Sequence, residues 1–113
     1  MATEDTDSAR ALEALRLLAA RPEVSQRELS RALGLSLGKT HYVLHALLDR
    51  GLVKVRNFKR SDRKMAYAYV LTPAGLRQKL RLTRAFLSRK EAEYQVLRNT
   101  IAMLRNELDA PRQ

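Results

Sequence analysis

Within ten residues, Leu33-Gly-Leu-Ser-Leu-Gly-Lys-Thr-His-Tyr42, two glycines and a serine break a chain that reads as helix on either side. Gly34 can take the left-handed backbone that ends a helix. Ser36 offers the side-chain oxygen that begins the next one. A turn this short holds two helices against each other at an angle. Upstream, Ser25-Gln-Arg-Glu28 has the form of a capping box, in which serine and glutamate each satisfy a free amide of the other. The short helix it starts carries Leu29, Ala32 and Leu33 on one side. Downstream, Thr40, Leu44, Leu47 and Leu48 fall on one stripe, and Gly38, His41, Tyr42, His45 and Asp49 on another. The first stripe is core; the second must face something polar. Together these features spell a helix-turn-helix, with Leu35 plugging the angle.

A further helix precedes this pair. Asp7 or Ser8 can cap it, Pro22 ends it, and Ala11, Leu12, Leu15, Leu18 and Ala19 recur at three and four. Residues 1–7 show no periodicity and are expected to be a disordered N-terminus. After Gly51 the period changes to two. Val53 and Val55 alternate with Lys54 and Arg56, and Met65–Leu71 alternates again through Tyr67 and Tyr69. Between the two runs lies Lys59-Arg-Ser-Asp-Arg-Lys64, so a β-hairpin with a basic tip is expected. Thr72-Pro73 then begins a last helix.

No glycine or proline interrupts the chain from Leu76 to Ala110. A helix of that length runs some 50 Å, more than a domain of this size can hold within itself. Leu80, Leu87, Tyr94, Ile101 and Leu108 recur every seven residues, with Leu76, Leu97 and Leu104 in a companion row that Thr83 and Lys90 interrupt. That pattern is a coiled-coil seam and predicts a homodimer. Leu76 and Leu80 are expected to pack on the winged domain. The expected fold class is mainly α with a small β-hairpin (α+β): residues 8–72 a winged helix-turn-helix, 73–109 a long C-terminal dimerisation helix, and 110–113 a tail.

The chain has 113 residues, enough for one modest core, and carries a formal net charge of +10. Such a balance argues for a polyanionic partner, nucleic acid before membrane. There is no cysteine, which excludes disulfides, cysteine-ligated zinc and thiol chemistry. No apolar run approaches the roughly 18 residues of a membrane span, and the acidic start is unlike a secretory signal, so a cytoplasmic location is expected. His41, His45 and Asp49 are spaced by four like zinc ligands, but the outer two lie about 12 Å apart along the helix axis. No metal or cofactor is expected, and no set of residues suits catalysis.

Arg60-Ser-Asp-Arg-Lys64, followed by Tyr69-Val-Leu-Thr-Pro-Ala-Gly75, resembles the wing of MarR-type transcription regulators, with its Asp-Arg-Arg element and its Leu-Thr-x-x-Gly. The strings Ser25–Lys39 and Gly51–Phe58 look closer still to the branch of that family associated with exopolysaccharide gene clusters. The resemblance spans about residues 10 to 108 and implies a dimeric, DNA-binding regulator acting on an inverted-repeat operator in double-stranded DNA. It places Ser36, Gly38, Lys39, His41, Tyr42 and His45 in the major groove. Lys59, Arg60, Asp62, Arg63 and Lys64 then fall on the minor groove or backbone, with Arg63 the candidate for groove entry and Asp62 orienting an arginine. Typical members are longer, with terminal helices that frame a small-molecule pocket; here the arm is short, and whether an effector binds is left open. A winged domain serving as a protein-interaction or RNA-binding module is the alternative.

Overall fold

The computed structural model describes residues 2–110. Its elements run α1 (Ala2–Ala20), α2 (Gln26–Leu33), α3 (Leu37–Asp49), β1 (Val53–Lys59), β2 (Met65–Leu71) and α4 (Pro73–Asp109). The mainly helical chain with one hairpin is the fold class that the periodicities predict.

Local signals set most of the boundaries. Ser25 and Glu28 form the capping box: the Glu28 N–H donates to Ser25 Oγ at 3.1 Å, and the Ser25 N–H donates to Glu28 Oε1 at 3.3 Å. Gly34 ends α2 in the left-handed region at φ 67°. Ser36 caps α3 by accepting the Lys39 N–H at 3.2 Å. Thr72 starts α4, where the Gly75 N–H donates to its Oγ1 at 3.0 Å. The start of α1 departs from expectation. The helix opens at Ala2 and not at a cap near Ser8, so the segment 1–7 is helical from its second residue. No glycine or proline lies between Ala2 and Ala20, and nothing in the backbone stops the helix earlier. Of the expected tail 110–113, only Ala110 is among the described residues.

The core gathers Ala14, Leu15 and Leu18 of α1, Val24, Leu29 of α2, Leu44 and Leu47 of α3, and Leu52 and Val53 at the start of the hairpin. Ala14 takes the inward place that the periodicity assigned to Ala19, which is exposed. Thr40 is fully buried without penalty, since its hydroxyl donates to the Ser36 carbonyl at 2.9 Å. The strands pair antiparallel with Val55 opposite Tyr69 and Lys59 opposite Met65. On the other side of β2, the Tyr69 N–H donates to the Pro22 carbonyl at 3.0 Å, which fastens the hairpin to the α1–α2 turn.

Two compact units result. One comprises the helices α1–α3, the hairpin and α4 as far as Thr83; the other begins at Arg84 and is the remainder of α4. Ala74 and Leu82 pack on the core of the first unit, whereas Leu76 and Leu80, expected to pack there, are exposed, because the helix turns its Ala74–Leu82 side to the core.

Candidate nucleic-acid interface

The buried stripe of α3 dictates what its other side presents. With Thr40, Leu44 and Leu47 turned inward, Gly38, Lys39, His41, Tyr42 and His45 are all exposed, Tyr42 to 76%. The His41 and His45 rings lie 4.1 Å apart between centroids, tilted by 47°. The Ser36 oxygen is occupied by the cap. Gly38 has open space where a side chain would begin: a Cβ built there meets nothing within 4 Å. Its backbone is not left-handed either. Nothing inside the chain therefore requires glycine, although alanine would favour the helix by about 0.5–1 kcal/mol.

Two further cations join this surface that sequence reasoning missed. Arg10 of α1 and Arg50, the C-cap of α3, line one cleft of about 320 Å³ with Lys39, Tyr42 and Asp7. Only the packing of α1 along α3 brings Arg10 there, and no local pattern announces it.

The wing tip is a tight turn from Arg60 to Lys64. The Arg60 N–H donates to the Lys64 carbonyl and the Arg63 N–H to the Arg60 carbonyl, both at 2.9 Å. Asp62 Oδ1 accepts the Lys64 N–H at 3.1 Å, while its Oδ2 lies 3.7 Å from the Arg60 guanidinium. The carboxylate thus shapes the turn and draws Arg60 towards itself. Arg63 stands at φ 67° and is the single non-glycine residue with positive φ among the described residues. This is the place in a three-residue hairpin loop where glycine is ordinarily required. All five residues of the turn are exposed.

On α4 beyond Thr83, Leu87, Tyr94, Leu97, Ile101, Leu104 and Leu108 are exposed, with Ile101 the least so at 41%. Lys90, which interrupts the row, bonds Glu93 at 3.1 Å and lies 5.2 Å from the centre of the Phe86 ring. Among the described residues no three histidine, aspartate or glutamate side chains come together as metal ligands. Among them, too, no helix is long and apolar enough to cross a membrane.

The fold is that of winged-helix regulators. Residues 9–56, from α1 into β1, match the IclR helix-turn-helix domain. No curated protein matches the sequence. The PcaV transcriptional regulator from Streptomyces coelicolor superposes with a TM-score of 0.62 at 21% identity, over 90% of this chain and 79% of that one. MepR, which regulates the Staphylococcus aureus multidrug efflux pump MepA, gives 0.58 at 15% identity over 88% and 78%. A MarR family protein of Mycobacterium tuberculosis, solved with salicylic acid, gives 0.57 at 25% identity over 86% and 74%. The sequence match and the structural matches name different families, and what they share is the helix-turn-helix.

Proposed function

We propose that this chain is a sequence-specific, non-enzymatic DNA-binding transcription regulator of the MarR family, acting as a homodimer on an inverted-repeat operator. Helix α3 enters the major groove, where Lys39, His41, Tyr42 and His45 meet base edges and phosphates. The wing residues Lys59, Arg60, Arg63 and Lys64 lie on the minor groove or backbone, and Arg10 and Arg50 extend the phosphate contacts beside α3. The exposed apolar row of α4 pairs with that of a second copy. The sequence strings Ser25–Lys39 and Gly51–Phe58 support an exopolysaccharide gene cluster as the target.

One observation carries this reading: two surface positions hold the residue that the fold itself does not want. Gly38 occupies a helix position with room for alanine, and Arg63 occupies a left-handed position that suits glycine. Strain and lost helix propensity at exposed sites point outward, to a partner that comes close to the start of α3 and demands a cation at the wing tip. A DNA duplex does both. Selecting bound fragments from the source organism's genomic DNA tests it. Enrichment of a discrete inverted repeat upstream of polysaccharide genes is expected. Featureless enrichment would sink sequence-specific reading and favour a protein- or RNA-binding winged domain.

A further inference from the structure

In a chain of formal net charge +10, one cleft of the winged unit runs against the general charge. It lies between the α1–α2 turn with the start of α2 and the outer half of the hairpin. Its volume is about 590 Å³, and its lining residues include Phe58, Tyr67 and Tyr69 and the two acids Glu23 and Glu28. That size is in the range of small-molecule sites.

The two carboxylates differ in what they have left to offer. Glu28 is committed to the capping box and to Arg21, whose Nη2 donates to its Oε2 at 2.9 Å. Glu23 has no hydrogen bond or ion pair among the described residues, and it is exposed at the cleft. Of the rings, Tyr69 is anchored: its hydroxyl accepts from Gln26 Nε2 at 3.3 Å. Tyr67 is 63% exposed and has no ring partner among the described residues. The one cation of the lining, Arg60, leans towards Asp62 at 3.7 Å. An unpaired carboxylate in a cleft shared with an exposed tyrosine ring attracts positive charge, and a ring face adds to that attraction. The same carboxylate repels phosphate, so the cleft adjoins the surface proposed for DNA at Arg60 but takes charge of the opposite sign.

We infer that the cleft is a binding site for a small organic cation, an amine or quaternary ammonium. Its charge meets Glu23, and its apolar groups lie on Tyr67 and Tyr69, which share one face of the hairpin. Because the lining spans Ser25 and Gln26 on one side and Arg60 and Ser61 on the other, an occupant touches both the start of α2 and the wing. The setting of the wing then depends on the ligand.

The test needs no DNA, so its outcome is independent of the regulator reading. Isotope-labelled full-length protein is titrated with benzyltrimethylammonium, benzyl alcohol and benzoate, and amide shifts are followed by NMR. The cation should give saturable shifts confined to residues 23–28 and 58–69 and bind more tightly than the neutral or anionic ring. Glu23→Gln and Tyr67→Leu, both at exposed positions that the fold does not use, should each weaken it about two- to fivefold, the worth of one exposed contact of this kind. No saturation, equal response to all three probes, or affinity unchanged in both variants would overturn the proposal.

Discussion

The α-carbon of Gly75 lies against the backbone carbonyl of Leu52, the same carbonyl that accepts the Thr72 N–H at 3.0 Å. A Cβ at position 75 would overlap that oxygen and sit 2.9 Å from the carbonyl carbon. Backbone cannot swing aside as a side-chain tip can. Gly75→Ala should therefore destabilise the winged unit by about 1–3 kcal/mol, the usual cost of overpacking. Urea denaturation checks this, and a loss under half a kilocalorie would mean that α4 can shift its first turn freely.

Gly38→Ala and Arg63→Gly should each trade binding for stability. The first should stabilise the chain by about 0.5–1 kcal/mol. The second should stabilise it by about 1 kcal/mol by removing the left-handed penalty. Both should weaken operator binding, and Arg63→Gly should also reduce the salt dependence by about one phosphate contact. Thermal melts beside binding titrations at several salt concentrations read both effects. Stabilised variants with undiminished affinity would contradict the placement of these residues against DNA.

Reading and anchoring should separate between α3 and the wing. His41→Ala or Tyr42→Ala should cost about 1–3 kcal/mol on the operator and little on random DNA. Lys59→Ala or Arg60→Ala should weaken both alike, because a phosphate contact carries no sequence information. Parallel titrations on the two DNAs decide it, and equal losses from all four substitutions would remove α3 as the reader.

Acid should loosen the start of α2 through Glu28. Its carboxyl is held below its ordinary value of 4.5, first by the Ser25 N–H, then by the Ser25 hydroxyl, then by Arg21. A lowered folded-state value means that the contribution is present above about pH 4.5 and is lost as pH falls through the folded-state value. Stability of the wild type should thus fall more steeply below pH 4.5 than that of Glu28→Gln, whose side chain does not titrate. Identical acid limbs in chemical denaturation would show that the box adds nothing in its charged form.

The row on α4 should report on self-association. Replacing Leu97 and Ile101 together with lysine removes two apolar side chains worth about 1.5–3 kcal/mol each when buried and sets like charges against each other. Sedimentation velocity should show the dimer giving way to monomer while circular dichroism of the winged unit is retained. A variant that stays dimeric would locate the dimer contact elsewhere.

What was legible in the sequence was what is encoded locally. Ser25 with Glu28, Gly34, Ser36 and Thr72 each announce a helix end within three residues, and the structure uses every one. The stripes of α3 were legible because the helix period sorts its side chains without outside help. The start of α1 was not, since a helix with no cap and no breaker leaves no mark where it begins. Nor was the strain at Arg63: a three-residue loop that holds Asp62 in its own backbone puts the next residue in the left-handed region, and without a glycine nothing shows it. Arg10 was missed for a third reason, that only tertiary packing brings α1 alongside α3 and its C-cap Arg50. Glu23 and the rings opposite it belong to the same class.

The left-handed arginine also has a meaning in the genetic code. Every arginine codon is one base from a glycine codon, and every glycine codon is one base from an alanine codon. The relaxed wing and the better helix are therefore each a single point mutation away from this gene. The genetic code thus puts no barrier between this chain and a more stable one at either position, and what each exchange changes is the surface the chain offers to a partner.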